Sequence, residues 1–247
     1  MSTCLVTGAG RGIGRAVAVA LSAAGHSVAL TARNMGELTE TAALCTGPTL
    51  VVPADITTDI EDVFEQVEKG FGPVEILVAN AGGASTSPLA KITDADWQAM
   101  LDLNLTAPFR CVRRAVPAMV DGGYGRIVVI ASVASKIGEP YIAAYTAAKH
   151  GVLGLVRSAA AELARTGVTV NAVCPGYVDT PMTDQSVAAI VAKTGRTAEE
   201  ARQVLARKQP TGKLITVEEV TAAVLYCVGN GAVTGQALNV DGGAVQS

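Results

Sequence analysis

Thr7-Gly8-Ala9-Gly10-Arg11-Gly12-Ile13-Gly14 links an apolar run, Cys4-Leu5-Val6, to a segment in which Ile13, Ala16, Val17, Ala20 and Leu21 recur at helical spacing. Apolar residues three and four apart share one helix face, and Gly25 supplies a stop. The octapeptide is therefore a strand-to-helix turn. Glycines there allow a tight turn and let backbone N–H groups approach a pyrophosphate at the helix N-terminus. The spacing departs from the common G-x-G-x-x-G fingerprint, because Ile13 stands at its last glycine position. A glycine-rich loop alone reads equally well as a tight turn. Its place between a first strand and an amphipathic helix favours nucleotide binding.

Outward from this turn, short β-rich runs alternate with helical periods. Strands are expected at Cys4–Thr7, Ser27–Ala32, Thr49–Pro53, Glu75–Asn80, Arg126–Ser132, Val168–Cys174 and Ala237–Val240. Several are apolar throughout, as strands covered on both faces must be. Ile60, Val63, Phe64 and Val67 repeat the helical pattern, and Thr93-x-x-Asp96, Thr197-x-x-Glu200 and Thr216-x-x-Glu219 have the form of helix-start capping pairs. Alternation of this kind means βαβ units and a parallel sheet. No repeat, low-complexity tract or linker divides the chain, so residues 1–247 are expected to form one domain. Residues 181–213, after a Pro-Gly, break the rhythm and read as an inserted helical segment, a candidate lid.

Composition narrows the function classes. At 247 residues with 49% hydrophobic and 17% charged positions, the chain can bury a sizeable core. A net charge of -3 without a basic run argues against nucleic acid. His26 and His150 have no companion ligands, so no metal site is expected. Cys4, Cys45, Cys111, Cys174 and Cys227 are odd in number and never form C-x-x-C, which suits a reducing compartment. The longest apolar stretch, Ala222 to Val228, is too short for a membrane span. With a strand starting at Cys4 there is no room for a signal peptide, and a cytoplasmic location is expected.

After the second strand, a carboxylate would be expected if the adenosine ribose kept a free 2′-hydroxyl. The sequence there is Leu30-Thr31-Ala32-Arg33, with no acid. Arg33 can instead pair with a 2′-phosphate, assisted by Arg11, which favours NADP(H) over NAD(H). The alternative makes Arg33 a solvated turn residue.

Tyr145-Thr146-Ala147-Ala148-Lys149 lies in a helical stretch, so Tyr145 and Lys149 share a face one turn apart. A phenol can donate a proton to a carbonyl oxygen, and a nearby ammonium stabilises the phenolate that remains. Ser132 closes the fifth strand, where open α/β sheets place their ligand crevice.

In this order, TGAGRGIG, Asn80-Ala81-Gly82, Asn104, Ser132, YxxxK and Pro175-Gly176 resemble the short-chain dehydrogenases/reductases across nearly the whole chain. The resemblance implies a single Rossmann-type doubly wound α/β domain with a seven-stranded parallel sheet and helices on both faces. It implies hydride transfer between NADP(H) and a carbonyl or secondary alcohol. Tyr145 is then the acid/base and Ser132 the hydroxyl that orients the substrate oxygen. Lys149 holds the nicotinamide ribose, and Asn104 anchors a water that relays protons. Cofactor contacts are implied from Gly8, Arg11, Gly12, Ile13 and Gly14, and from Arg33, Asp55 and Ile56 near the adenosine. Further contacts are implied from Asn80, Ala81 and Gly82, and from Pro175, Gly176, Val178 and Thr180. Asn104 and Asp55 have plainer readings, as partner of a helix backbone and as cap of the next helix. Many relatives carry asparagine where Ala79 stands. A homotetramer is implied, with Tyr141 to Leu163 and the C-terminal strand at its contacts.

The stretches 162–167 and 175–182 are similar to bacterial 3-oxoacyl-thioester and polyketide ketoreductases. That implies a small carbonyl substrate, a 3-oxoacyl group on CoA or acyl carrier protein, reduced to the 3-hydroxyacyl thioester. A dehydrogenase of free cyclic or steroidal alcohols and a non-catalytic NADP-binding sensor are the alternatives. Residues 181–213 hold six basic side chains (Lys193, Arg196, Arg202, Arg207, Lys208, Lys213) against Asp184, Glu199 and Glu200. Such a rim suits a polyanionic carrier, or else it is a solvated helix face.

Overall fold

The structure, a computed structural model, describes residues 1–246. All seven expected strands form: β1 (Thr3–Thr7), β2 (Ser27–Ala32), β3 (Thr49–Pro53), β4 (Ile76–Ala79), β5 (Gly125–Ile130), β6 (Val168–Pro175) and β7 (Ala237–Val240). Two end short of expectation, β4 before Asn80 and β5 before Ser132. In both cases the chain leaves the sheet to enter the cleft described below.

Every pairing is parallel, in the order β3-β2-β1-β4-β5-β6-β7. The order reverses between β1 and β4, so the chain diverges there and opens a crevice beyond the strand ends. Successive side chains point to opposite faces, and both faces are apolar. Leu5, Ala29, Leu77, Ile127 and Val129 pack beneath α3 (Ile60–Phe71), α5 (Ala107–Asp121) and α6 (Ala143–Leu163). Cys4, Val6, Val28, Leu30, Val78 and Val128 pack beneath α1 (Gly12–Ala23), α2 (Met35–Leu44) and α9 (Val217–Gly229). Two buried faces explain why these strands read as continuous apolar runs.

The three expected capping pairs are complete boxes. Thr93 opens α4 (Asp94–Leu101), Thr197 opens α8 (Ala198–Ala206) and Thr216 opens α9. Each threonine hydroxyl accepts from the N3 amide while the N3 carboxylate accepts from the threonine N–H.

Residues 181–213 are helical, as the broken rhythm suggested: α7 (Pro181–Thr194), α8 and a turn. They enclose their own small core of Val187, Ala201 and Leu205, with Tyr177 and Leu214 packed against it. This cluster is separate from both main cores. Among the described residues, no helix is long and apolar enough to cross a membrane.

Candidate active site

A cleft of about 1530 Å³ runs over the C-terminal strand ends, bordered by the glycine loop, the ends of β4 to β6 and α7. One drug-sized ligand fills roughly 300–1,000 Å³, so a dinucleotide and a second molecule can share this space.

At its centre, β1 and β4 are stitched together. The Thr7 hydroxyl accepts from the backbone N–H of Asn80 at 3.0 Å and of Ala81 at 2.9 Å. The Asn80 amide donates to the carbonyls of Thr7 at 2.9 Å and Gly8 at 3.2 Å. The glycines around this knot have no room for side chains. A Cβ on Gly8, whose φ is +66°, would lie 2.8 Å from the Asn80 amide nitrogen. One on Gly14 would run into the Gly8 carbonyl, and one on Gly12 would sit 3.3 Å from the Thr180 methyl. No side chain caps α1, so its first N–H groups remain available to a ligand. This bare, donor-rich turn fits a pyrophosphate, and Ile13 lines the same cleft.

The adenosine end holds a feature that the sequence reading missed. Arg33 is exposed and lines the cleft, as does Asp55. Asp55 accepts from the Thr57 N–H at 2.9 Å and the Thr57 hydroxyl at 2.7 Å, and these bonds hold its pKa low, with help from the Arg33 charge. It does not cap α3, whose N-cap is Asp59. Ile56 is buried in the core beneath this end and touches the cleft. The reading of two bases and no acid needs correction. Glu37, in the first turn of α2, reaches back to within 3.5 Å of Arg11. Asn34-x-x-Glu37 is itself a helix-start pattern, with Asn34 accepting from the Glu37 N–H at 3.2 Å. That pattern was the available signal, because it places Glu37 at the sheet end that carries the glycine loop.

At the other end, Ser132, Tyr145, Lys149 and Asn104 line one wall. Ser132 begins a tight turn and its hydroxyl accepts from the Ala134 N–H at 3.1 Å. Burial pushes the Tyr145 phenol up to about 12, and the facing Ser132 hydroxyl works in the opposite direction. Lys149 is buried and donates to the Ile130 carbonyl at 2.8 Å. Its ammonium lies 5.6 Å from the Tyr145 ring centroid, and burial lowers its pKa to about 8.

Asn104 sits in a π-helical turn, Asp102–Thr106, between α4 and α5. Such turns are frequent at functional sites. Its amide does satisfy helix backbone, at Met100 (3.1 Å), but it also donates to the Gly83 carbonyl at 3.0 Å and accepts from the Gly83 N–H at 3.2 Å. Gly82 lies between it and Lys149: an added Cβ there would be 3.0 Å from the Asn104 oxygen and 3.7 Å from Lys149 Nζ. Pro175 ends β6, and a Cβ on Gly176 would strike the Gln209 side chain. Val178 bridges to Ile215, and Thr180 starts α7 at the cleft edge.

The basic rim is partly neutralised. Arg202 is ion-paired with Asp179 and with Asp184. Lys208 donates to Tyr177 Oη at 3.0 Å and to Glu139 at 3.3 Å, and the Tyr177 hydroxyl donates to Glu139 at 2.9 Å. Neither Glu139 nor Tyr177 stood out in the sequence, because they are 38 residues apart and belong to no spaced motif.

Residues 2–191 match the short chain dehydrogenase family. The chain belongs to this family. A D-beta-hydroxybutyrate dehydrogenase of Rhizobium meliloti is 38% identical, covering 98% of this chain and 97% of that one. A putative ketoacyl reductase of Streptomyces coelicolor is 39% identical, covering 97% and 95%. The 3-oxoacyl-[acyl-carrier-protein] reductase of Escherichia coli is 35% identical over 97% of this chain and 95% of its own. An actinorhodin polyketide ketoreductase variant with NADPH superimposes with a TM-score of 0.93 at 37% identity, covering 98% and 97%. As a short-chain dehydrogenase, the protein is an oxidoreductase that acts on a CH–OH group.

Burying the Lys149 charge has a measurable cost. A lysine whose folded pKa lies near 8 and unfolded value near 10.5 binds fewer protons folded than unfolded between those limits. Stability conferred at this position therefore rises with pH across that window, the reverse of a lysine whose pKa is raised by an acidic partner. We expect Lys149→Met to have its highest melting temperature relative to the parent at pH 7, with the advantage shrinking toward pH 10. Calorimetry of both proteins at the two pH values checks this, and an advantage that grows with pH contradicts it.

Proposed function

We propose that the protein is an NADP(H)-dependent ketoreductase that reduces a 3-oxoacyl thioester to the 3-hydroxyacyl thioester. The convergence of Ser132, Tyr145 and Lys149 on one wall of a cleft headed by a bare glycine loop carries the reading. Relatives named D-beta-hydroxybutyrate dehydrogenase and 3-oxoacyl-[acyl-carrier-protein] reductase support the substrate class, since both names place the reacting oxygen on the third carbon of an acyl chain.

A nicotinamide held in this cleft would supply the hydride. Ser132 orients the carbonyl oxygen. Tyr145 donates the proton that completes the alcohol, and its raised pKa keeps it protonated at working pH. Lys149, on the ribose side, stabilises the phenolate as the proton leaves. Asn104 ties the 82–83 loop beside Lys149 and anchors a water through which Tyr145 is reprotonated. Arg33, with Arg11, takes the 2′-phosphate, while Glu37 restrains Arg11. The glycine loop, Asn80 to Gly82, Pro175, Gly176, Val178 and Thr180 surround the rest of the dinucleotide. Residues 181–213 act as the lid, with Lys193, Arg196, Arg207 and Lys213 left to meet a polyanionic carrier.

A homotetramer fits the exposed Trp97 and Phe109 and an α4 with no buried residue. A cytoplasmic location fits five free cysteines. The hydroxybutyrate dehydrogenase relatives favour one second reading, oxidation of a free 3-hydroxy acid.

Tyr145→Phe should lower kcat by ~10²–10⁴-fold, the usual worth of general acid catalysis, while NADPH still binds. Fluorescence titration beside a turnover assay separates the two effects, and a variant retaining most of the parent rate removes Tyr145 from the mechanism.

The parent should prefer NADPH to NADH in kcat/KM, and Arg33→Ala should weaken NADPH about tenfold and spare NADH, the scale of one charge-assisted hydrogen bond. Equal use of the two cofactors by the parent overturns the assignment of Arg33.

NADPH absorbance should show kcat/KM for acetoacetyl-CoA, or a 3-oxoacyl carrier protein, above that for acetoacetate and for cyclic ketones. The highest value with acetoacetate moves the protein to the second reading.

A further inference from the structure

Three side chains in the cleft that holds the catalytic wall form a closed polar cluster. Glu139 stands in the loop between the Ser132 turn and α6, Tyr177 follows Gly176 after β6, and Lys208 lies two residues beyond α8. Glu139 accepts from both partners, from the Tyr177 hydroxyl at 2.9 Å and from Lys208 Nζ at 3.3 Å. All three line the cleft that holds Ser132 and Tyr145.

The pair is not symmetric about the cleft. The Glu139 side chain is 20% exposed and that of Lys208 44%, so the acid is the more enclosed member of the pair. The negative charge also reaches the catalytic wall, where it is one of the influences that raise the Tyr145 phenol. Lys149, the cation at that wall, is turned to the Ile130 carbonyl.

The consequence concerns the carbon that bears the carrier. In a 3-oxoacyl chain, carbon 1 is only two C–C bonds of about 1.5 Å from the reacting carbon. A free acid therefore brings a carboxylate into the field of Glu139, and a thioester brings a neutral group there. We propose that Glu139, tied to Tyr177 and Lys208, is a specificity residue that rejects a free carboxylate next to the reacting carbon and admits neutral acyl derivatives. The inference rests on the 3-oxoacyl reading above and supplies the reason for preferring it to the free 3-hydroxy acid.

The test uses butyrate and butyramide, matched in size and differing in charge, as competitive inhibitors with saturating NADPH against whichever neutral ketone the enzyme reduces fastest. The readout is the ratio of their inhibition constants, butyrate over butyramide, which cancels any general damage to the site. Glu139→Gln should lower this ratio about tenfold, the scale of one charge–charge interaction a few ångström apart in a partly solvated site. Glu139→Asp, which keeps the charge, should stay near the parent value. Lys208→Gln, which leaves the carboxylate unneutralised, should raise the ratio. A cluster that merely latched the lid would be broken alike by Glu139→Gln and Lys208→Gln, so shifts in the same direction, or none, overturn the proposal. Because the competition runs on any neutral ketone, its result stands apart from the thioester comparison. Loss of thioester preference with opposite shifts intact would fault the substrate reading alone.

Discussion

The knot between Thr7 and Asn80 is the constraint on which the rest of the cleft depends. Strand order reverses between β1 and β4, so the segments leaving these paired strands diverge beyond Val6 and Val78. The Thr7 hydroxyl and the Asn80 amide exchange four hydrogen bonds across the divide and hold the glycine loop against the end of β4. Close approach then forbids side chains at Gly8 and Gly14. A backbone stripped of side chains and held in place presents its N–H groups without further ordering cost. Binding an anion there costs little conformational entropy, which is the physical meaning of a preformed site.

The wall formed by Ser132, Tyr145 and Lys149 shows the same economy with titratable groups. Burial moves Tyr145 and Lys149 in opposite directions, the phenol up and the ammonium down, because low polarity favours the neutral form of each. The wall thus holds a protonated phenol beside a lysine. That pairing is what the proposed proton transfer requires. Asn104, in an over-wide helical turn, holds the Gly83 backbone and keeps the 82–83 loop beside Lys149.

Residues 181–213 are built differently. Their small core of Val187, Ala201 and Leu205 is separate from the clusters on the two faces of the sheet, with Tyr177 and Leu214 packed against it. Polar links run from Arg202 to Asp179 and from Lys208 to Glu139 and Tyr177. Exposed ion pairs are weakly stabilising, so such links position the segment more than they anchor it. They also neutralise two of the six cations of the segment, Arg202 and Lys208.

Much of this was legible in the sequence, for reasons that are local. Strands buried on both faces must be apolar throughout, helix starts need a hydroxyl and an acid three apart, and a turn that passes under a ligand needs glycine. Each rule acts over a few residues, so the seven strands, the capping boxes at Thr93, Thr197 and Thr216, and the Tyr145–Lys149 pair could be read directly. The sequence alone thus determined the doubly wound sheet, its glycine loop and the set Ser132, Tyr145 and Lys149 that the fold brings to one cleft. What it did not determine were the ion pairs: Glu37 on Arg11, Arg202 on Asp179, and Glu139 with Tyr177 and Lys208. These partners come from separate elements and follow no period, because a charge interacts through space with whatever the fold brings within a few ångström. Only the tertiary structure could decide which of the basic residues are ion-paired, and that Glu139 lines the same cleft as Ser132 and Tyr145.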